Sequence, residues 1–253
     1  MPAVRGPCHL PPNLNTGAAM TKINIDTISM LPRGMLNAFL VTWGSEAVLI
    51  DTGLPKSAPK IARALARRNM GWGNLRLIVL THGHIDHAGS GKAVADLSGA
   101  PVLAHVDEMP YLTGTPPLLR PSGLFGRLFK RTGLINQPFP HVTPDIRMDE
   151  DDMDLSGFGL PARVLHTSGH TPGSISVLMN DGRVFAGDLA ASGIALGGLI
   201  LRGRPKSPPF EEDRAAVATS LDRLLTLGGR EFLLGHGGPL PASAIKSHIA
   251  NLT

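Results

Sequence analysis

The sequence has a single cysteine and no long apolar run, and both absences limit what the protein can be. Cys8 has no second thiol to pair with, so we expect no internal disulfide and a reducing, cytoplasmic location. No run of about eighteen or more apolar residues occurs, which argues against a transmembrane helix. The first 21 residues also lack the continuous apolar core of a secretory leader, and we expect none.

The sequence also lacks a strong excess of positive or negative charge. Lysine and arginine number 24 against 20 aspartates and glutamates, a net charge of +4. The basic residues are dispersed, with local clusters at 60–68, 127–131 and 202–206. Such clusters usually lie on solvated helix faces and loops, so the sequence disfavours a nucleic-acid partner.

The length and composition fit one large domain. Residues 1–21 are rich in proline and glycine without apolar periodicity, which predicts a flexible N-terminal tail. From residue 22 to 253, strand-like and helix-like segments alternate, and 42% of the chain is hydrophobic, enough to bury a sizeable core. Residues 112–147 interrupt this alternation with six prolines, which predicts a cap-like insertion.

Local patterns predict most of the regular elements. We expect strands at 22–30, 35–43, 46–50, 75–80, 101–105, 162–167, 174–180, 183–186 and 231–234. The first three would form antiparallel hairpins. Helices are expected after Ser57 as a cap, at 92–97, 124–131, 210–227 and 241–252.

One short stretch concentrates potential metal ligands. Thr81-His82-Gly83-His84-Ile85-Asp86-His87 places three imidazoles and one carboxylate within six residues. Imidazole with carboxylate suits Zn²⁺ or a similar ion better than Ca²⁺ or Mg²⁺, which prefer oxygen ligands. The stretch lies between a predicted buried strand and a predicted helix, where a rigid frame can hold it, although a polar surface loop is the alternative.

Further motifs along the chain resemble those of the metallo-β-lactamase-fold hydrolases. They are the H-x-H-x-D-H run together with Asp51-Thr52-Gly53, the segment Ser168 to Ser174 around His170, Gly187-Asp188 and Gly235-His236-Gly237. The resemblance implies an αββα sandwich, an α/β fold of two mixed β-sheets flanked by helices. One departure is Ser168, where the family often has proline.

The resemblance also implies a ligand set for two metal ions. His82, His84 and His170 would hold one ion, Asp86, His87 and His236 the other, and Asp188 would bridge them. Two Zn²⁺ ions are expected, with iron or manganese as alternatives. A bridging hydroxide would attack the substrate, and Asp86 would also orient it as the catalytic residue.

Three other positions have competing interpretations. Asp51 is expected to hold the metal turn by hydrogen bonds, although an ordinary turn aspartate before Gly53 is the alternative. For His105 and His166 we favour structural roles.

The implied activity is hydrolysis of a small ester, thioester or lactone. Glyoxalase II-like enzymes share the seven ligands; lactonase-like enzymes carry a tyrosine soon after the bridging aspartate, where this chain reads Leu189 to Ser192. A mononuclear iron persulfide dioxygenase, a β-lactamase and a phosphodiesterase are the alternatives on the same fold.

The 112–147 segment is expected to cap the site. Within it, Leu124, Phe125, Leu128 and Phe129 recur at helical spacing, so Phe125 and Phe129 are candidates for binding an acyl chain. The same side chains could instead cover the protein's own core, join a homodimer or touch a membrane surface.

Overall fold

The computed structural model describes residues 22–194 and 200–253. The predicted flexible tail, 1–21, lies outside the described residues. The described chain forms two six-stranded mixed sheets that pack face to face, with helices on their outer sides. This arrangement confirms the predicted αββα sandwich.

The first sheet is built from the N-terminal half of the chain. Its strands, in spatial order, are β1 (Asn24–Leu31), β2 (Leu36–Trp43), β3 (Glu46–Ile50), β4 (Leu75–Val79), β5 (Val102–His105) and β6 (Ile146–Met148). The first three strands are antiparallel, as predicted, and the last three continue the sheet in parallel. Parallel strands bring their carboxyl ends to the same edge of the sheet.

The second sheet follows in the C-terminal half. The strands of this half are β7 (Asp152–Asp154), β8 (Ala162–His166), β9 (Ile175–Met179), β10 (Arg183–Phe185), β11 (Ala191–Ser192), β12 (Pro205–Lys206), β13 (Glu231–Leu233) and β14 (Leu240–Pro241). The sheet has the order β14-β13-β10-β9-β8-β7, while β11 and β12 pair separately.

Helices pack against the outer faces of both sheets and across one end of the sandwich. They are α1 (Ala58–Arg67), α2 (Ile85–Ala88), α3 (Gly91–Ser98), α4 (Met109–Leu112), α5 (Leu124–Arg131), α6 (Arg214–Thr226) and α7 (Ala242–Leu252). None of the described helices has the length and apolarity needed to cross a bilayer.

Two predicted helix starts are wrong in detail. Helix α6 begins at Arg214 instead of Phe210, because the Asp213 carboxylate accepts hydrogen bonds from the N–H groups of Ala215 and Ala216 and caps it there. Ser57 precedes α1, but its side chain accepts no capping hydrogen bond because its own backbone is already helical.

The core lies in layers on both faces of each sheet. In β2, Ala38 and Leu40 face the helices, whereas Phe39 and Val41 face the other sheet. The rings of Phe39 and Phe185 meet between the sheets, with centroids 5.2 Å apart. Because both faces of the central strands are buried, the strand ends provide a rigid frame for the loops that follow them.

The 112–147 segment packs across one end of the sandwich. It contains α5 at the predicted position and a single 3₁₀ turn, Leu134–Asn136, within otherwise irregular chain. Its buried Leu119 and Ile135 contact Ile85 and Phe210, so the segment covers the turn that follows β4.

Candidate metal centre

The structure brings the seven predicted ligand residues together at one edge of the sandwich. Each stands just beyond a strand, on the turns that follow β4, β8, β10 and β13. These residues are His82, His84, Asp86, His87, His170, Asp188 and His236, all buried except the partly exposed Asp86. The two halves of the chain therefore contribute to one site.

Three imidazoles form the first group. Nε2 of His170 lies 3.2 Å from Nε2 of His82 and 3.1 Å from Nδ1 of His84. Each ring is almost completely buried. Three ring nitrogens at this spacing can share a single ion.

Two carboxylates and two imidazoles form the second group. Nε2 of His236 lies 3.3 Å from Oδ2 of Asp86 and 3.2 Å from Oδ2 of Asp188. Nε2 of His87 lies 3.4 Å from Oδ1 of Asp188. Asp188 also approaches the first group, with Oδ2 3.8 Å from Nε2 of His170. Asp188 therefore stands between the two groups.

Backbone carbonyls fix the orientation of two of these rings. Nδ1 of His170 donates to the carbonyl oxygen of Phe210 at 3.0 Å, and Nδ1 of His236 donates to that of Met35 at 2.6 Å. A carbonyl oxygen only accepts, so each Nδ1 carries the hydrogen. In the neutral rings, each Nε2 consequently presents a lone pair to the centre.

Asp51 fixes the third ring and the turn that bears it. Its Oδ2 lies 2.8 Å from Nδ1 of His87, and its Oδ1 accepts from the N–H of Thr81 at 2.8 Å. The side chain is almost completely buried, and its backbone has a φ of +60°. That left-handed conformation is uncommon for residues other than glycine, although aspartate tolerates it better than most.

A close approach explains the glycine before His236. A Cβ on Gly235 would lie 2.3 Å from Oδ1 of Asp188 and 2.5 Å from Cε1 of His87. Any side chain at this position would displace both residues, so the first glycine of the Gly-His-Gly motif is required by the packing of the centre.

The electrostatics of the two groups differ. Burial lowers the pKa of His84 to about 3 and holds the pKa values of His82 and His170 below the ordinary range. Burial acts in the same direction on His236, but Asp188 and Asp86 outweigh it and raise its pKa to about 10. The first group is thus neutral, while the second holds protons that a cation would displace.

Four buried atoms of the centre have no hydrogen-bond partner among the described residues: Nε2 of His84, Oδ1 of Asp86, Nε2 of His87 and Oδ1 of Asp188. Leaving such groups unpaired is costly, and polar groups in protein interiors are normally paired or coordinate metals. Nitrogen and carboxylate donors of this kind suit Zn²⁺ and similar divalent ions. The residues of both groups therefore fit divalent metal ions.

A cavity of about 390 Å³ opens over the centre. His84, Asp86, His170, Asp188 and His236 form part of its wall. The apolar part of the wall comes largely from the 112–147 segment and its neighbours: Leu54, Ile85, Phe129, Leu134, Ile135 and Phe210. The cavity thus places an apolar wall beside the polar centre. Its volume suits a small organic ligand.

The two phenylalanines predicted to bind substrate have different positions. Phe129 lines the cavity. Phe125 is not part of the cavity wall; it is 50% exposed and stacks on Phe129, with ring centroids 5.9 Å apart. His105 and His166 lie apart from the seven residues and stack on each other, with ring centroids 3.8 Å apart.

Glu108 is a residue of the site that the sequence did not indicate. Fully buried, it accepts hydrogen bonds from the N–H of Gly83 at 2.6 Å, the N–H of Gly173 at 3.0 Å and the hydroxyl of Thr171. One carboxylate thereby ties together the two loops that carry the first group. No local pattern marks Glu108, because its donors lie 25 to 65 residues away in the chain.

Comparison with known proteins places this geometry in a family. Residues 31–236 match the family model described as metallo-beta-lactamase superfamily, a range that includes all seven residues of the centre. The chain is 34% identical over 231 residues to the probable metallo-hydrolase YflN of Bacillus subtilis, covering 85% of this chain and 86% of that protein.

Two further similarities are informative. Over 156 residues the chain is 31% identical to the hydroxyacylglutathione hydrolase of Anaeromyxobacter dehalogenans, covering 59% of this chain and 44% of that enzyme. Among solved structures, the BLEG-1 B3 metallo-beta-lactamase superposes with a TM-score of 0.65 at 23% identity, covering 91% of this chain and 100% of that one. At that identity the second similarity concerns the fold alone.

Proposed function

The chain belongs to the metallo-β-lactamase superfamily and is a metal-dependent hydrolase of that family; from this premise we propose that it cleaves a neutral ester, thioester or lactone with an apolar acyl group, using two metal ions. The observation that carries the proposal is the apolar cavity, whose polar end is the centre of histidines and aspartates. Zinc is the proposed metal, and the cytoplasm is the proposed location.

The residues that would hold the ions are the two groups described above, with Asp188 between them. Ions bound there would supply Lewis acidity, which lowers the pKa of a water from 15.7 towards about 7 and polarises a carbonyl. The protein's own contribution is orientation: ring tautomers fixed by Met35, Phe210 and Asp51 keep the ligating nitrogens aimed at the centre.

Asp86 has a second role in this proposal. It borders the cavity, and its Oδ1 has no partner among the described residues while its Oδ2 faces Nε2 of His236. Oδ1 is therefore free to accept a hydrogen from the attacking water and to hold it towards the substrate. The apolar wall excludes bulk water from the other side of the acyl group.

The wall also supports the choice of a neutral substrate. No lysine or arginine lines the cavity among residues 22–194 and 200–253, and Gln137 is its one amide. A carboxylate or phosphate on the part of the substrate that contacts the apolar wall would have no lysine or arginine to pair with. A substrate whose charged group stays outside the cavity, such as a thioester with a polar leaving group, is compatible with this wall. The similarity to a hydroxyacylglutathione hydrolase supports a thioester substrate.

Metal content combined with a substrate panel tests the proposal. We expect close to two divalent ions per chain, and hydrolysis of acyl esters, thioesters and lactones in preference to phosphodiesters. His84→Ala should lose metal and activity together. One iron per chain with sulfite formation from a persulfide, or turnover of phosphodiesters alone, would contradict the proposal.

A substitution at Phe129 tests the proposed contact between the cavity wall and the acyl chain. Phe129→Ala should raise KM for long-chain acyl esters more than for short ones, because it removes part of the apolar wall. Phe158→Ala is the matched control, since Phe158 is also half-buried but packs against the core between the sheets. Equal changes in KM for every chain length would remove Phe129 from the binding surface.

A further inference from the structure

The outer side of α5 and the turn after it expose an unusual amount of apolar surface. Leu124 is 71% exposed, Leu134 59% and Leu128 53%. Leu124 and Leu128 are one helical turn apart and form a stripe on the solvent side. The opposite side of the helix is fixed to the protein, because a Cβ on the buried Gly126 would lie 2.1 Å from the carbonyl oxygen of Pro209.

The chain segment that carries this stripe has arginines and a lysine but no acidic side chain. From Met109 to Pro144 the chain carries four basic residues and no aspartate or glutamate. All four are exposed, and two of them, Arg127 and Arg131, stand one helical turn apart and border the leucine stripe. Exposed leucines beside a row of arginines form the pattern of a helix that lies on a lipid surface.

Aromatic rings connect this surface to the centre. Phe125 stacks on Phe129, and Phe129 stacks on Phe210, with centroids 5.9 Å apart in each pair. Phe129 and Phe210 both line the cavity, and the carbonyl of Phe210 accepts the hydrogen bond from His170. An apolar path therefore runs from the exposed face of α5 to the cavity wall.

We propose that the exposed face of α5, with the Leu134 turn, docks on an anionic lipid surface and takes its acyl substrate from it. This inference rests on the proposed function, since it names the source of the acyl group. The arginines would contact lipid headgroups, and the leucines would enter the boundary between headgroups and acyl chains. A single short helix binds weakly, which suits an enzyme that must leave the surface again.

The charges favour a lipid surface over a second copy of the chain. In a two-fold dimer the same patch meets itself, so the basic residues of one copy would face those of the other. The 109–144 segment offers no acidic residue to neutralise them. Like charges across such a contact are unfavourable, whereas an anionic surface satisfies them all.

Vesicle sedimentation without substrate tests docking independently of hydrolysis. The metal-loaded full chain should bind vesicles of phosphatidylcholine mixed with phosphatidylglycerol, and bind phosphatidylcholine alone at least tenfold more weakly. High salt should weaken the binding. Arg127→Glu/Arg131→Glu should weaken it at least tenfold, since each basic residue near an anionic surface contributes roughly fivefold.

Leucine variants test the apolar half of the surface. Leu124→Ser/Leu128→Ser should also weaken vesicle binding at least tenfold, with turnover of a soluble short-chain ester unchanged because neither residue lines the cavity. Leu97→Ser is the matched control, since Leu97 is 54% exposed on α3 and should have no role.

Two results would overturn docking. One is equal binding of the wild type to neutral and anionic vesicles. The other is a wild-type dimer, measured by light scattering, that becomes a monomer in Leu124→Ser/Leu128→Ser while vesicle binding is absent throughout. Vesicle binding by a chain that hydrolyses no acyl substrate would instead count against the proposed function alone.

Discussion

Oδ2 of Asp51 lies 2.8 Å from Nδ1 of His87, and both side chains are almost completely buried. The pair orients the ring so that its Nε2 faces Asp188. Because the carboxylate only accepts, it selects the tautomer with hydrogen on Nδ1 and leaves Nε2 available to a metal. The left-handed backbone conformation of Asp51 places its carboxylate where it selects this tautomer of His87.

Asp51→Asn should weaken metal binding at the second group. Asparagine tolerates the left-handed backbone equally well, so the fold should be retained. Its amide can donate to Nδ1 of His87, which would move the ring hydrogen to Nε2 and block the metal. We expect an affinity loss of about 10- to 100-fold at one of two sites, measured by zinc titration of metal-depleted protein. Asp181→Asn, in an exposed turn, is the control; wild-type affinity in Asp51→Asn would refute the tautomer argument.

Asp86→Asn should reduce turnover while preserving the fold. The amide keeps the size of the side chain but lacks the negative charge that faces His236 and the cavity. We expect kcat to fall by about 10²- to 10³-fold, with much of the metal retained. Steady-state kinetics and metal analysis on the same sample measure both quantities, and near wild-type turnover would remove Asp86 from the reaction.

Glu108→Gln should destabilise the protein. Glutamine places an amide NH₂ where one carboxylate oxygen accepts hydrogen bonds, so at least one buried donor among Gly83, Thr171 and Gly173 loses its acceptor. An unpaired buried donor costs about 1–3 kcal/mol of unfolding free energy. Denaturant unfolding measures the loss, with the exposed Glu150→Gln as control. Equal stability of the two variants would show that the hydrogen bonds accepted by Glu108 do not stabilise the fold.

His248 should make the fold sensitive to acid. Burial, with Arg214 nearby, lowers its pKa to about 4, below the ordinary value of about 6.5. The folded state therefore resists protonation, so the contribution of His248 is complete above pH 6.5 and is lost as pH falls towards 4.

The comparison with His248→Leu isolates this effect. Over that interval the wild type should lose about 3 kcal/mol of unfolding free energy relative to His248→Leu, because one pKa unit corresponds to about 1.4 kcal/mol. Urea unfolding at several pH values measures the difference. His141→Leu, at an exposed position, should run parallel to the wild type. A difference in unfolding free energy between the wild type and His248→Leu that does not change with pH would contradict the prediction.

Sequence patterns predicted the elements whose signal is local. Strands β1 to β4 were expected because apolar runs are bounded by Pro32 to Gly34, by Gly44-Ser45 and by the His82 turn. The seven residues of the candidate centre also carry a local signal, since their motifs adjoin strand ends. By contrast, β6 was missed because it begins inside the proline-rich 112–147 segment, and β7 was missed because it reads Asp-Met-Asp, which carries no apolar signal.

Apart from Asp51, the supports of the centre could not be predicted, because they depend on residues brought together by the tertiary fold. Glu108 reaches glycines of two loops, and His170 is oriented by a carbonyl 40 residues away. A backbone carbonyl has no sequence signature, so the partners of His170 and His236 cannot be read from residue types. The expected cap was located from its prolines, but only the fold separates Phe129, at the cavity, from Phe125 outside it.

The hydrogen bond from His236 to Met35 spans 201 residues of sequence. A ribosome adding about 5–20 residues per second needs roughly 10–40 s to synthesise the chain between them. For most of that interval the histidines of the first loop are already made, while the residue that completes the second group does not yet exist. The full centre can therefore assemble only late in synthesis, so a nascent chain exposed to metal early can offer it only a partial set of ligands.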